Sequence, residues 1–253
     1  MAEGPAGGTL PEGQVRAMFD RIAGVYDLMN SAMTAGLHHK WRKRAADLAD
    51  VHPGDRVLDV ATGTGDLAFE LAPRVAPGGA VVGSDFSEEM LVRARRKLDS
   101  RRNASEGPVP LSNVHFEWAD VLSLPYADNE FDAATVGFGA RNYGDLEKGI
   151  AEMTRVIKPG GRVVILEITT PTKEPLATFY KAWFDRAVPI IGRFAGDSDA
   201  YEYLPNSVKR FPGPEGLGAA MARCGLKNIK WVLTAGGIIA IHVGEKADPQ
   251  PRD

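Results

Sequence analysis

The chain has 253 residues, 30 Lys+Arg against 33 Asp+Glu, a formal net charge of −3 and one cysteine, Cys224. That charge balance argues against a dedicated nucleic-acid binder, and one cysteine excludes both an intrachain disulfide and a Cys-rich zinc site. No apolar run approaches the roughly 18 residues of a membrane span, and the Gly/Pro-rich start lacks the basic-then-apolar pattern of a signal peptide, so a soluble cytoplasmic protein is expected.

Residues 1–13 and 247–253 read as tails with little to bury, leaving a single domain over 14–246. Val15–Leu48 reads as one or two helices, with Met18, Phe19, Ile22, Tyr26, Leu28 and Met29 at apolar positions. Arg56–Ala61, Ala80–Asp85, Val114–Trp118, Phe131–Gly137 and Arg162–Glu167 read as strands. The second and last of these are near-continuous apolar runs, which suits strands buried on both faces. Helices fall between them at Asp66–Val75, Ser87–Ser100 and Asp145–Ile157. Ser87 is a good N-cap with Glu88 and Glu89 behind it, and Pro159-Gly160-Gly161 turns the chain into the next strand. This alternation implies βαβ units and a parallel sheet wrapped by helices. Pro175–Phe194 is an aromatic-rich helical stretch interrupted at Pro189, inside a helical insertion near 172–212. A helix at Gly216–Cys224 and a final hairpin, Lys227–Leu233 with Gly237–Val243, close the chain.

The sharpest local signal is Leu58-Asp59-Val60-Ala61-Thr62-Gly63-Thr64-Gly65-Asp66, which follows the first strand and opens a helix. Glycines such as Gly63 and Gly65 let a ligand approach the backbone, and a helix N-terminus offers free N–H groups. The next strand ends at Asp85, 20 residues past Gly65 and followed by Phe86; an acid there can accept from both hydroxyls of a ribose. Ala68 stands where a dinucleotide fold places its third glycine, an accepted variant, so glycine spacing alone leaves the cofactor class open. Asp59 is more telling: a carboxylate suits an ammonium and repels a pyrophosphate, which favours S-adenosylmethionine. The plainer alternative is that Asp59 only braces the loop. Trp118-Ala119-Asp120, after the third strand, suits an adenine ring and its exocyclic amine.

LDVATGTGD, DFSEEML (Asp85–Leu91), FGARN (Phe138–Asn142), RVIKPGGRVVILE (Arg155–Glu167) and FDRIAGVYDLMN (Phe19–Asn30) resemble the ubiquinone/menaquinone biosynthesis C-methyltransferases. AYEYLPNSVKRFP (Ala200–Pro212) and LTAGGIIAIHVGEK (Leu233–Lys246) carry the resemblance to nearly the whole chain. It implies a class I α/β fold, Rossmann-like, with a seven-stranded mostly parallel sheet, helices on both faces and an antiparallel last strand. It also implies methyl transfer from S-adenosylmethionine to a ring carbon of a prenylated, demethylated quinol. The family's cofactor contacts fall on Thr64, Asp85 and the Ala119-Asp120 pair; Gly137 stands where the family often has serine, and Ala140 where leucine is common.

A ring carbon becomes nucleophilic once a neighbouring hydroxyl loses its proton, so the site needs a proton acceptor, a held ring and exclusion of water. Arg141 and Asn142, after the fourth strand, are the candidates for steadying the phenolate and orienting the hydroxyl. Asp66 is the preferred acceptor, with Arg141 as its electrostatic partner, because arginine itself is rarely a base; a purely structural Arg141–Asp66 ion pair is the alternative. The N-terminal helical segment reads either as a lid, with Tyr26 near the cofactor carboxylate and His38 as a second base, or as core. The histidines show no metal-binding pattern. Phe179, Tyr180, Trp183, Phe184, Ile190, Ile191 and Phe194 offer an apolar wall for an isoprenoid tail. Lys40–Arg44 and Arg93–Arg102 offer either contact with an anionic membrane surface or a solvated face. The expected partners are a lipophilic quinol, peripheral contact with the inner face of a membrane, and a second copy of the chain, with no nucleic acid. Rival functions are a class I methyltransferase of another small hydrophobic or phenolic substrate, a nicotinamide-dependent oxidoreductase, and a non-enzymatic binder.

Overall fold

The computed structural model describes residues 12–22, 34, 36–103, 111–171, 174, 177–178 and 198–247, and the structural statements below concern these. The expectations on Tyr26 and on the Phe179–Phe194 wall lie outside the described residues. Two helices open the described chain, α1 (Glu12–Ile22) and α2 (Leu37–Leu48). Then follow β1 (Arg56–Val60), α3 (Asp66–Val75), β2 (Ala80–Asp85), α4 (Glu88–Asn103), β3 (Val114–Trp118), β4 (Phe131–Gly137), α5 (Leu146–Val156) and β5 (Ile157–Ile168). After α6 (Ser198–Arg210) and α7 (Pro214–Arg223), β6 (Leu226–Thr234) and β7 (Ile239–Lys246) end the fold. α1 begins at Glu12, inside the stretch read as a tail.

The sheet order is β3-β2-β1-β4-β5-β7-β6. β1 to β5 are parallel; β7 runs antiparallel to β5 and to β6. The chain winds outward from β1 through β2 to β3, then crosses back to place β4 on the other side of β1. That reversal leaves a crevice at the carboxyl ends of β1 and β4, where ligands of open α/β sheets bind.

Both faces of the sheet are covered, because successive residues of the central strands point to opposite sides. Val57, Val81 and Ala133 join α2, α3 and α4 in one core with Ala45, Leu71 and Leu91. Leu58, Val60 and Ala134 join α5 and α7 in the other with Ile150, Met153 and Met221. Asp59 therefore points to the α2–α3 side, and the β1–β4 register sets it opposite Thr135. The Pro159-Gly160-Gly161 turn lies within β5 as a bulge: Phe131 pairs with Ile157, then Ala133 with Arg162. Gly160 has φ +77°, and a Cβ on Gly161 would stand 2.5 Å from the Asp132 carbonyl oxygen, so this bend demands glycine. The C-terminal hairpin forms as expected, with β7 inside and β6 at the edge of the sheet.

Candidate active site

The loop after β1 is pinned to β2. Thr62 N–H donates to the Ser84 carbonyl at 2.9 Å, and Gly63 N–H donates to Asp85 Oδ2 at 2.8 Å. Gly63 and Gly65 have φ +57° and +86°; at Gly65 a Cβ would also stand 2.5 Å from the Phe116 ring. The second oxygen of Asp85 accepts Ser87 N–H at 2.9 Å. Asp85 is 5% exposed, and burial outweighs these N–H bonds, pushing its carboxyl up to about 6.

A cavity of about 280 Å³ opens beside this carboxylate. Of the residues singled out from sequence, Gly63, Asp85, Phe86, Ala119, Asp120, Gly137 and Asn142 line it. Asp59, Thr64, Gly65, Asp66 and Arg141 stand behind the wall. Trp118, half-exposed, fixes its indole by donating Nε1–H to the Phe86 carbonyl at 2.9 Å. Ala119 N–H donates to the Asp85 carbonyl at 3.2 Å, and Asp120 Oδ1 accepts Leu122 N–H at 2.9 Å, stiffening its own turn. Ala61 and Phe138, at the exits of β1 and β4, hold left-handed backbone at φ +48° and +64°. Such conformations persist where the surroundings over-determine them. Gly139 fits between them: its Cβ would stand 2.7 Å from the Ala61 Cβ.

Asp59 lies beneath the loop. Its oxygens accept the hydroxyls of Thr62 at 2.6 Å and Thr135 at 2.7 Å. Complete burial overcomes both bonds and the Arg42 charge, raising its carboxyl to about 6. Thr64 and Asp66 share a cation: Lys97 Nζ donates to Thr64 Oγ1 at 3.1 Å and to Asp66 Oδ1 at 2.7 Å, while Arg42 stands 3.4 Å from Asp66 Oδ2. Burial alone would raise Asp66, but Arg42 and Lys97 outweigh it and hold the carboxyl below the usual carboxylate range.

The expected pairing of Arg141 with Asp66 does not form. Asp66 opens α3 facing α2 and α4, which supply its cations; Arg141 faces β5. Its guanidinium Nη1 donates to Glu167 Oε1 at 2.7 Å and to the Phe138 carbonyl at 2.5 Å, and its N–H donates to Glu167 Oε2 at 3.1 Å. Glu167 is 1% exposed and also accepts Ile168 N–H at 2.9 Å. The turn over Ala140–Asn142 is thus fastened to β5 by one ion pair. Next to it, Asn142 Oδ1 accepts the Tyr203 hydroxyl from α6 at 3.1 Å.

Sequence reasoning assigned no role to Glu167; an acid closing the otherwise apolar run Val163–Leu166 was the signal. The lid alternative for the N-terminal segment named Tyr26 and His38, whereas in α1 it is Gly13, Arg16 and Phe19 that line the space. His38 is 2% exposed and its Nδ1 is hydrogen-bonded to the Thr34 hydroxyl at 2.7 Å, away from the cavity wall. Among the described residues no group of three or more His, Cys, Asp or Glu could hold a metal ion. The basic run in α4 is largely engaged within the fold: Arg95 pairs with Glu88, Arg101 lies over the Phe69 ring, and Arg102 donates to the Leu111 carbonyl.

Over 230 residues the chain is 45% identical to the demethylmenaquinone methyltransferase of Thermus thermophilus, covering 90% of this chain and all of that one. It is 39% identical over 233 residues to the ubiquinone/menaquinone biosynthesis C-methyltransferase UbiE of Geotalea uraniireducens, covering 92% and 96%. A SAM-dependent methyltransferase from Aquifex aeolicus superposes with a TM-score of 0.56 at 18% identity, covering 93% of this chain and 98% of that one; this likeness speaks for the class I fold alone. Residues 8–246 match the ubiE/COQ5 methyltransferase family, and the chain belongs to that family.

Proposed function

We propose that the protein transfers a methyl group from S-adenosylmethionine to a ring carbon of a reduced, prenylated, demethylated quinol. The substrate is demethylmenaquinol, the benzoquinol of the ubiquinone pathway, or both. The observation that carries this reading is one cavity joining Asp85 at the end of β2 to Asn142 after β4. A nicotinamide-dependent oxidoreductase and a binder without turnover both sit poorly with membership of a methyltransferase family.

The residues present fit the cofactor. Each oxygen of Asp85 already accepts one backbone N–H and keeps a lone pair for a ribose hydroxyl. Gly63 and Gly137 leave room at the wall, and Trp118 with Ala119 gives a flat side for a purine. When bound, S-adenosylmethionine supplies an electrophilic methyl on sulfonium sulfur. Asp59 acts through the loop it braces rather than by touching the ammonium.

On the substrate side the chain holds the ring and its oxygen. With Asn142 Oδ1 taken by Tyr203, the carboxamide NH₂ remains to donate to a quinol oxygen and steady it as phenolate. Arg141, neutralised by Glu167, places that turn instead of carrying bare charge into the cavity. Asp66, held ionised between Lys97 and Arg42, ties α2, α3 and α4 together and is a poor proton acceptor. The phenol proton leaves through water at the cavity mouth, and once the ring carbon has gained its methyl the hydrogen it carried is lost as a proton by the same route, restoring the aromatic ring.

An apolar tail supports the reading that the enzyme meets its substrate at the inner face of a membrane as a peripheral protein. Among the described residues no helix is long and apolar enough to cross a membrane. The rim of β6, with Trp231, Val232 and Leu233 exposed, is the surface we assign to contact with a second copy of the chain.

The test is methyl transfer from labelled S-adenosylmethionine to reduced demethylmenaquinol and to the demethylated benzoquinol, each beside its oxidised form. Product from quinol and none from quinone is expected. Cofactor binding with neither quinol methylated would overturn the substrate assignment.

A further inference from the structure

Most of the cavity wall comes from strand-end loops, but Gly13, Arg16 and Phe19 come from α1, which precedes the whole sheet in sequence. Val15 and Met18, on another side of α1, are 3% and 4% exposed. Apolar contact gives α1 a place, but it is non-directional and does not fix the helix along the cavity.

One directional contact does. Ser87 Oγ donates to Asp20 Oδ1 at 2.5 Å, the short distance of a charge-assisted hydroxyl–carboxylate bond. Ser87 is fully buried and serves two further bonds. Its Oγ accepts Met90 N–H at 3.2 Å, capping α4, and its own N–H donates to Asp85 Oδ1 at 2.9 Å. A single residue thus links the carboxylate of α1 to the carboxylate on the cavity wall. Asp20 Oδ2 lies 3.9 Å from Arg16 Nε, keeping that side chain beside the cavity as well.

We infer that Asp20 is a positioning residue for cofactor binding: through Ser87 it fastens α1 to the N-terminus of α4, so that α1 and Asp85 enclose the cofactor together. The reason is population arithmetic. Contacts between α1 and a bound ligand contribute only in the docked state, so a smaller docked fraction lowers the apparent affinity in proportion. The ligand in turn favours docking by the same factor. This inference rests on the reading that Asp85 holds the cofactor.

The experiment is calorimetric titration of the full chain with S-adenosylmethionine, comparing wild type, Asp20→Ala, Asp20→Asn and Asp85→Asn. Loss of one charge-assisted bond predicts about tenfold weaker binding for Asp20→Ala. Asp20→Asn keeps an acceptor oxygen for Ser87, and about threefold or less is expected for it. In turnover, the Asp20→Ala loss falls on the KM for the cofactor and not on kcat. Tryptic cleavage after Arg16 and Arg21 is faster in Asp20→Ala than in wild type, and saturating S-adenosylmethionine slows it in both. If Asp20→Ala lowers the melting temperature, recovery in Asp20→Asn together with the tryptic pattern still decides the matter. The inference is overturned if Asp20→Ala binds as wild type, or if Asp20→Asn is as weak as Asp20→Ala. If Asp85→Asn binds normally, the reading of the cavity fails; if Asp85→Asn is weak while Asp20→Ala is normal, only the role of Asp20 fails.

Discussion

Asp85 at the end of β2 and Glu167 at the end of β5 are both nearly fully buried carboxylates, yet their surroundings differ. Asp85 is met by the N–H groups of Gly63 and Ser87, sits up near 6, and faces the cavity. Glu167 is met by the Arg141 guanidinium and two backbone N–H groups, and stands behind the wall. A carboxylate that faces the cavity keeps acceptor capacity and is harder to ionise than a free one. One placed to hold a turn is neutralised within the fold. On the function proposed above, the same division separates the cofactor half of the cavity from the substrate half.

The largest effect expected from breaking this contrast is at Arg141. Arg141→Ala leaves Glu167 buried without its cation, which costs about 3–5 kcal/mol in urea denaturation. Adding Glu167→Gln restores part of that loss, because the stranded charge is gone. The equivalent change at Asp85, Asp85→Asn, removes a charge that has no cation to strand and weakens cofactor binding far more than folding.

Asp59 tests the buried, hydroxyl-bonded case. Its folded pKa, about 6, lies above the ordinary 3.8. The folded protein therefore holds this proton more tightly than the unfolded chain. The stabilisation is full below 3.8 and is lost as pH rises through 6. Asp59→Asn does not titrate, so its stability relative to wild type is greater at pH 7 than at pH 4, by up to about 3 kcal/mol. Denaturation curves at the two pH values check this.

Smaller effects separate the two halves. Gly65→Ala forces a Cβ toward the Phe116 ring in left-handed backbone, costing about 1–3 kcal/mol in stability and raising the KM for cofactor before that for quinol. Tyr203→Phe removes the hydroxyl that fixes Asn142, costing about 1 kcal/mol. It appears in the quinol KM and kcat with cofactor affinity unchanged.

Much of the cofactor half was legible in the sequence. β2, β3 and β4 run over the expected residues because their β-rich segments are bounded by turn residues. A glycine loop after one strand and an acid ending the next are brought together by any parallel β1–β2 pair, as Gly63 and Asp85 are. The substrate half was less legible, since Arg141 and Glu167 are 26 residues apart and meet only through the β4–β5 register, which pairs Gly137 with Leu166. Choosing Asp66 as the partner of Arg141 rested on both following strand ends, whereas Lys97 and Arg42 approach Asp66 from separate helices. The bond from Asp20 to Ser87 spans 67 residues and carries no local signature.

The most direct measurement is a steady-state comparison of Asp85→Asn and Asn142→Ala, varying S-adenosylmethionine and the reduced quinol separately. Asp85→Asn is expected to raise the cofactor KM at least about tenfold with the quinol KM unchanged. Asn142→Ala is expected to lower kcat and raise the quinol KM with cofactor affinity intact. If both variants change the two substrates' constants alike, the cavity is not divided between a cofactor carboxylate and a quinol-holding turn.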